Sequence, residues 1–232
     1  MQTDASLLPQ LPLAFRRLAS LAKLDAADLM SLEIAARASH TKDARRDLSL
    51  AVADAPGLAM ILDGWAFRAC LLPNGRRQIT DLFLPGDVIF DPPIGRGSPY
   101  SLNTITRVTW CTIATDTLEV GKGLHEALLA AQRFENQSLR RQAVRLGRLD
   151  AVSRLADWLL ALHARLTAAG LCVGNTMPLP LTQELIADAL GLTTVHVNRT
   201  LSALRRQGLI EVQGSRATIL NAARCLAING HG

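Results

Sequence analysis

Hydrophobic spacing divides the chain into a strand-rich first half and a helical second half. From about residue 48 apolar positions recur every second residue. Leu48, Leu50 and Val52 alternate with Ser49, Ala51 and Ala53, which predicts a strand. The run AMIL then meets an Asp63-Gly64 turn, and Trp65, Phe67, Ala69 and Leu71 alternate beyond it, so a hairpin is expected there. Asn74-Gly75 marks a second turn before RRQITDLFL, and Pro85-Gly86-Asp87 a third before VIF. Pro and Gly interrupt the pattern in DPPIGRGSPYSLNT, residues 91–104, which is expected to be a loop that either lines a ligand pocket or merely connects strands. TRVTWCTI at 106–113 resumes the strand pattern. Short strands at this spacing predict a compact antiparallel barrel or roll.

Beyond residue 117 the period becomes helical. Residues 118–147 lack proline and are rich in helix formers, predicting one long helix of about 25 residues. Leu124, Leu128, Ala131, Ser138, Leu139, Gln142 and Leu146 approximate a heptad, which points to a two-stranded contact, with an exposed linker helix as the alternative. Gly147 to Asp150 is the expected hinge into a second helix at about 150–167. Its apolar face comprises Val152, Leu155, Ala156, Leu159, Leu160, Leu162 and Leu166.

Residues 181–208, LTQELIADALGLTTVHVNRTLSALRRQG, predict two short helices around a Gly-centred turn. Thr182 can cap the first, whose apolar face is Leu185, Ile186, Ala189 and Leu190, and Gly191 ends it. Thr193 can cap the second, in which Val197, Leu201 and Leu204 recur at helical steps until Gly208. Packed on the first helix, the second would present Thr194, Val195, His196, Asn198, Arg199, Ser202 and Arg206 outward. That set of donors and small groups suits base edges and phosphates. An ordinary helical pair shares the bare pattern. The following LIEVQGSRATIL, two β-rich runs around Gly214-Ser215, fits a wing and favours a winged helix-turn-helix.

Charge agrees in direction with this reading. The net +5 is uneven: residues 1–120 hold 12 basic and 13 acidic side chains (−1), 121–147 hold 5 and 2 (+3), and 148–232 hold 8 and 5 (+3). A basic excess over the second half suits a polyanion, although so small an excess also describes a solvated surface. No apolar run reaches bilayer length, and MQTDASLLPQ has neither a basic region nor a continuous hydrophobic segment, so a cytoplasmic protein without a membrane partner is expected. Cys70, Cys111, Cys172 and Cys225 lie far apart with no CxxC pair; a cysteine-ligated metal is not expected, and Cys70 and Cys111 are expected to be packed as small apolar groups. From a different class, the roll could be a small-molecule-binding module or a cupin-like enzyme with DNA binding secondary. Such an enzyme needs clustered ligands, whereas His40, His125, His163, His196 and His231 are scattered and none falls in the predicted strands. Enzyme activity is not expected.

The order roll, long helix, winged helix-turn-helix resembles the cyclic-AMP receptor protein and fumarate-nitrate-regulator (CRP/FNR) family of bacterial transcription regulators. The resemblance covers most of the chain. It is carried by LGRLDAVSRLADWLLALHARL at 146–166 and PLTQELIADALGLTTVHVNRTLSALRRQGLIE at 180–211, with DGWAFRACLLPNGRRQITDLFLPGD at 63–87 similar to the family's effector-domain core. It implies that the base-reading positions of the second helix fall on Thr194, Val195 and Arg199. Arg199 alone keeps the residue type of the cyclic-AMP-binding relative, and can pair with guanine O6 and N7. Thr194 and Val195 replace a basic and an acidic reader, so contact with a thymine methyl and a different half-site are expected. Gln183, Thr193 and His196 are candidates for phosphate contacts, His196 alternatively being an ordinary surface residue.

The resemblance also defines departures. Cyclic-nucleotide binders of the superfamily carry a Gly-Glu pair and an Arg-Ser/Thr-Ala run, for the ribose and the cyclic phosphate. Between Asp87 and Trp110 this chain has no glutamate, and Arg96 sits alone between two glycines. Cyclic AMP is therefore not expected in the family's usual mode. The N-terminal cysteine cluster of oxygen-sensing relatives has no counterpart before Cys70, while haem, bound by another relative, stays open but unsupported by any matching His or Cys. The expectation is thus an α+β protein: a cyclic-nucleotide-binding-like β-roll at 1–120, a dimerisation helix at 121–147 and a winged helix-turn-helix at 148–232. It would act as a homodimer on palindromic double-stranded DNA, with RNA polymerase as a further partner, no resident cofactor, and a roll that either receives an unidentified signal or serves only as scaffold.

Overall fold

A computed structural model describes residues 12–92, 98–114 and 121–228. Contacts divide the chain into two units, the first Met1–Leu71 with Asp81–Gln137, the second Leu72–Thr80 with Ser138–Gly232. In chain order the elements are α1 Leu13–Leu21, α2 Ala26–Arg37, β1 His40–Lys42, α3 Ser49–Ala53, β2 Leu58–Asp63, β3 Ala66–Leu71, β4 Arg77–Phe83, β5 Val88–Ile89, β6 Tyr100–Thr104, β7 Val108–Ile113 and α4 Lys122–Arg148. There follow α5 Ala151–Ala168, β8 Thr176–Pro178, α6 Gln183–Leu190, α7 Thr194–Arg206, β9 Ile210–Gln213, β10 Arg216–Ile219 and α8 Ala222–Ile228.

The roll of the first unit is built from two sheets, ordered β1-β7-β2-β5 and β4-β3-β6. Strand β2 lies inside the four-stranded sheet and is apolar on both faces, which explains its unbroken AMIL run. Ala59 and Ile61 join Phe83, Leu102 and Trp110 in one core. Met60 joins Cys111, Ile113, Leu18 and Leu32 in the other, which the helices cover. The antiparallel register opposes Ile61 to Trp110 and Met60 to Cys111, so each cross-strand pair feeds a single core.

Four sequence expectations change here. Residues 49–53 form α3, not a strand: Leu48 and Val52 are buried one helical turn apart while Leu50 is 69% exposed. Over six residues a step of four matches the pattern as well as a step of two, and Asp47 Oδ1 accepts from the Ser49 N–H at 2.7 Å to start the turn. Asp63-Gly64 does not close a hairpin, because β2 pairs with β7 and β5 whereas β3 belongs to the other sheet. It is a corner between sheets. Gly64 holds φ +85°, and a Cβ there would run into the Arg107 carbonyl. Within the expected loop, Tyr100–Thr104 is a strand paired with β3; Arg96 lies outside the described residues. Finally, Leu124, Leu128 and Ala131 of the apparent heptad are buried in the first unit's own core. Helices α1 and α2 and strand β1, which precede the first expected strand, were not visible as periodicity. Helix α2 is fixed by a reciprocal cap, the Asp28 N–H donating to Asp25 and the Asp25 N–H to Asp28 at 2.9 and 3.0 Å.

In the second unit, α5 supplies the apolar floor expected of it. Leu155, Leu159, Leu162 and Leu166 are buried, as are Val197, Leu201 and Leu204 of α7 and Ile186 and Leu190 of α6. Strand β8, which the sequence pattern did not reveal, completes a three-stranded sheet ordered β8-β10-β9. Asp150, in the expected hinge, caps α5 by accepting from the N–H groups of Val152 and Ser153 at 2.9 Å. Asp157, 2% exposed, is paired with Arg141 and with Arg145, the latter at 2.7 Å. Burial opposes its ionisation, but the two guanidinium groups outweigh it and hold the carboxyl below its usual range. No helix among the described residues is long and apolar enough to cross a membrane.

A second buried charge cluster lies in the first unit. Arg68 donates to the Asp91 carbonyl at 2.6 Å and to Asp81 at 3.3 Å, lies over the Phe83 ring, and approaches Glu135 of α4 at 3.6 Å. Burial, reinforced by Asp81 and only partly offset by Arg68, pushes Glu135 up to about 7 from an ordinary 4.5. Burial likewise pushes the Cys111 thiol up to about 11, which leaves it a packed apolar group at neutral pH. Because folded Glu135 holds its proton where the unfolded chain releases it, its contribution to stability falls as pH rises between about 4.5 and 7. Glu135→Gln is expected to flatten that part of the stability-pH curve, as measured by urea unfolding across the range.

Candidate nucleic-acid interface

Helices α6 and α7 form as their caps dictate. Thr182 Oγ1 accepts from the Leu185 N–H and Thr193 Oγ1 from the His196 N–H, each at 3.2 Å. Gly191 ends α6 at φ +61°, and Gly208 follows α7 at φ +66°. The turn is thereby limited to a few residues, and α7 must pack with Val197, Leu201 and Leu204 inward. Thr200 completes the buried side without an unsatisfied hydroxyl, donating to the His196 carbonyl at 2.8 Å.

The opposite face holds the residues selected from the sequence. Thr194, Val195, His196, Asn198, Arg199 and Arg206 are exposed, and Ser202 is half-buried. Val195 is 69% exposed, a small apolar group set among polar neighbours. Thr193 and Gln183 are exposed at the helix starts, and Asn198 Nδ2 lies 3.4 Å from Gln183 Oε1, joining the two helices across this surface. Among the described residues no acidic side chain pairs with Arg199 or Arg206. Their charge faces outward uncompensated.

Beside α7, β9 and β10 pair in register from Ile210↔Ile219 to Gln213↔Arg216, with Gly214 at φ +55° in the turn. This is the expected wing. Its tip exposes Gln213, Ser215 and Arg216, polar residues outside the predicted set although Arg216 directly follows the Gly214-Ser215 turn. Helix α8 carries no predicted site residue, and Cys225 anchors it in the core.

Residues 153–226 match the model of the Crp-like helix-turn-helix domain. Over 226 residues the chain is 32% identical to the nitrogen fixation regulation protein FixK of Bradyrhizobium diazoefficiens, covering 93% of this chain and 91% of that one. The chain belongs to the CRP/FNR family of transcription regulators. It is also 33% identical to the transcriptional activator protein FnrL of Cereibacter sphaeroides over 70% of this chain and 68% of that one. The solved structure of FixK2 from Bradyrhizobium japonicum superposes with a TM-score of 0.67 at 25% identity, covering 82% of this chain and 96% of its own. The α+β architecture with an N-terminal roll and a C-terminal helix-turn-helix is thus that of a CRP/FNR regulator, and the family consists of transcription regulators, not enzymes. The cupin-like alternative is thereby set aside.

In this CRP/FNR member the Thr193 cap is the point at which one hydroxyl controls the start of α7. Thr193→Ala is expected to cost about 1 kcal/mol by urea unfolding, with Thr193→Ser retaining most of the wild-type value.

Proposed function

We propose that this regulator binds palindromic double-stranded DNA as a homodimer, with α7 in the major groove. The observation that carries the reading is the outward face of α7, where Arg199 and Arg206 have no acidic partner among the described residues and stand beside exposed Thr194, Val195, His196 and Asn198. Arg199 has the reach and donor geometry for guanine O6 and N7. Thr194 and Val195 offer methyl groups to a thymine, and Asn198, Ser202 and Arg206 extend the same surface. Gln183, Thr193 and His196, at or near helix N-termini, would take phosphates and set register.

The functional division follows as roll 1–120, dimerisation helix 121–147 and DNA-binding domain 148–232. With Leu124, Leu128 and Ala131 committed to the first unit's core, the dimer seam is assigned instead to exposed α4 positions at helical steps: Leu129, Gln132, Asn136, Leu139 and Ala143. Polar residues in such a seam limit partners and register at a cost in strength. Paired α4 helices would set two α7 helices about one DNA turn apart. The roll would receive an unidentified signal other than cyclic AMP in its usual mode, and the DNA-bound dimer would engage RNA polymerase.

The test is selection of duplexes from a random library followed by affinity measurement across a salt series. A selected palindrome bound with a steep salt dependence is expected; equal affinity for selected and shuffled duplexes would sink the reading. Arg199→Ala is expected to lose roughly 1 to 3 kcal/mol of discrimination at one base pair per half-site, and a uniform loss on all sequences would make it a phosphate contact. Leu139→Glu is expected to shift the protein from dimer to monomer in sedimentation equilibrium.

A further inference from the structure

The turn between α6 and α7 is held from outside the helix-turn-helix. A helix leaves its last carbonyls without intrahelical partners. In α6 the Leu192 N–H donates to that of Ala187, and the last two, of Ala189 and Leu190, are taken by side chains from three other segments. The Ala189 carbonyl accepts from Gln142 Nε2 at 2.7 Å and from Gln78 Nε2 at 3.3 Å, and the Leu190 carbonyl accepts from Arg154 Nη1 at 2.8 Å. Arg154 also donates through Nη2 to the carbonyls of Leu146 and Leu149. One residue before Ala189, Asp188 accepts from both Nε and Nη2 of Arg77, at 2.8 and 2.5 Å.

Gln142 and Arg154 belong to the neighbouring helices α4 and α5. Arg77 and Gln78 do not. They arise from the hairpin between β3 and β4, whose residues Leu72–Thr80 belong to the second unit although the chain on either side belongs to the first. The hairpin is stiff: the Leu72 N–H donates to the Arg76 carbonyl, Asn74 Oδ1 accepts from the Arg76 N–H, and Gly75 turns at φ +78°. A lone ion pair at this exposure contributes little. Two guanidinium N–H groups converging on one oxygen, Asp188 Oδ2, next to an amide on the adjoining Ala189 carbonyl instead fix orientation, four to five residues before the Thr193 cap of α7.

We infer that Arg77 and Gln78 are positioning residues for DNA recognition, holding the end of α6 so that α7 meets the groove at a set angle. This rests on the DNA-binding reading above. The probe is a duplex selected from a random library by the wild-type protein, with a shuffled duplex as control. Arg77→Ala and Asp188→Ala are each expected to weaken binding to the selected duplex about three- to tenfold, the double variant losing no more than either single one. The charge swap Arg77→Asp with Asp188→Arg is expected to regain most of the affinity. In the free protein, hydrogen exchange of the Leu192 amide, which donates to the Ala187 carbonyl, is expected to quicken in the single variants and slow again in the swap. If Arg77→Ala fails to fold, Arg77→Lys, which keeps the charge without the two-pronged geometry, replaces it with the same expectations. Wild-type affinity in the single variants, equal losses on both duplexes, or unchanged exchange would overturn the inference while leaving the DNA-binding reading intact. A wild-type protein that selects no duplex would overturn both.

Discussion

Helix α7 cannot bury its apolar stripe without turning its polar face to solvent, and the interface depends on that constraint. Val197, Leu201 and Leu204 occupy the inward side with Thr200, and the helical period then fixes the directions of Thr194, Val195, Asn198 and Arg199. A residue shift in packing would send an apolar side chain out and Arg199 toward the core, where an unpaired guanidinium is too costly to keep. The stability of the fold and the presentation of the surface are one requirement. The caps at Thr182 and Thr193 and the left-handed Gly191 make it strict, since they fix where each helix begins and ends.

Buried charge divides between rigidity and tension. In the second unit Asp157 is satisfied by two arginines from α4, so the carboxylate keeps its charge. In the first, Arg68 is shared among Asp81, the Asp91 carbonyl and Glu135, and the shortfall falls on Glu135. One cluster binds a helix to its neighbour with matched charge. The other leaves a carboxyl on α4 whose proton is in play near neutral pH.

Much of this was legible in the sequence, for a physical reason. Where a segment's pattern is enforced by its own caps and period, as from Thr182 to Gly208, the local residues determine the element and its exposed face. The wing and the long helix were legible on the same ground. Long-range choices were not. Asp63-Gly64 signalled a reversal but could not say that the strands on either side join different sheets, and the apolar positions 124, 128 and 131 could not reveal whether their cover was a second chain or the roll itself. A stretch as short as 48–53 fits two periods. Nothing local marks Arg77 as the partner of Asp188, because that pairing is a property of the tertiary fold alone.

The hairpin at 72–80 has a consequence for how the protein forms. Its contacts with α6 join residues 111 apart in sequence, so a loop of that length must close before they exist. During synthesis the hairpin emerges long before α6 has been made. The second unit is therefore not contiguous in sequence, and the contacts between the hairpin and α6 form only once α6 has followed it from the ribosome. Long-range contacts of this kind slow folding, and a C-terminal fragment would lack the hairpin's hold on the end of α6.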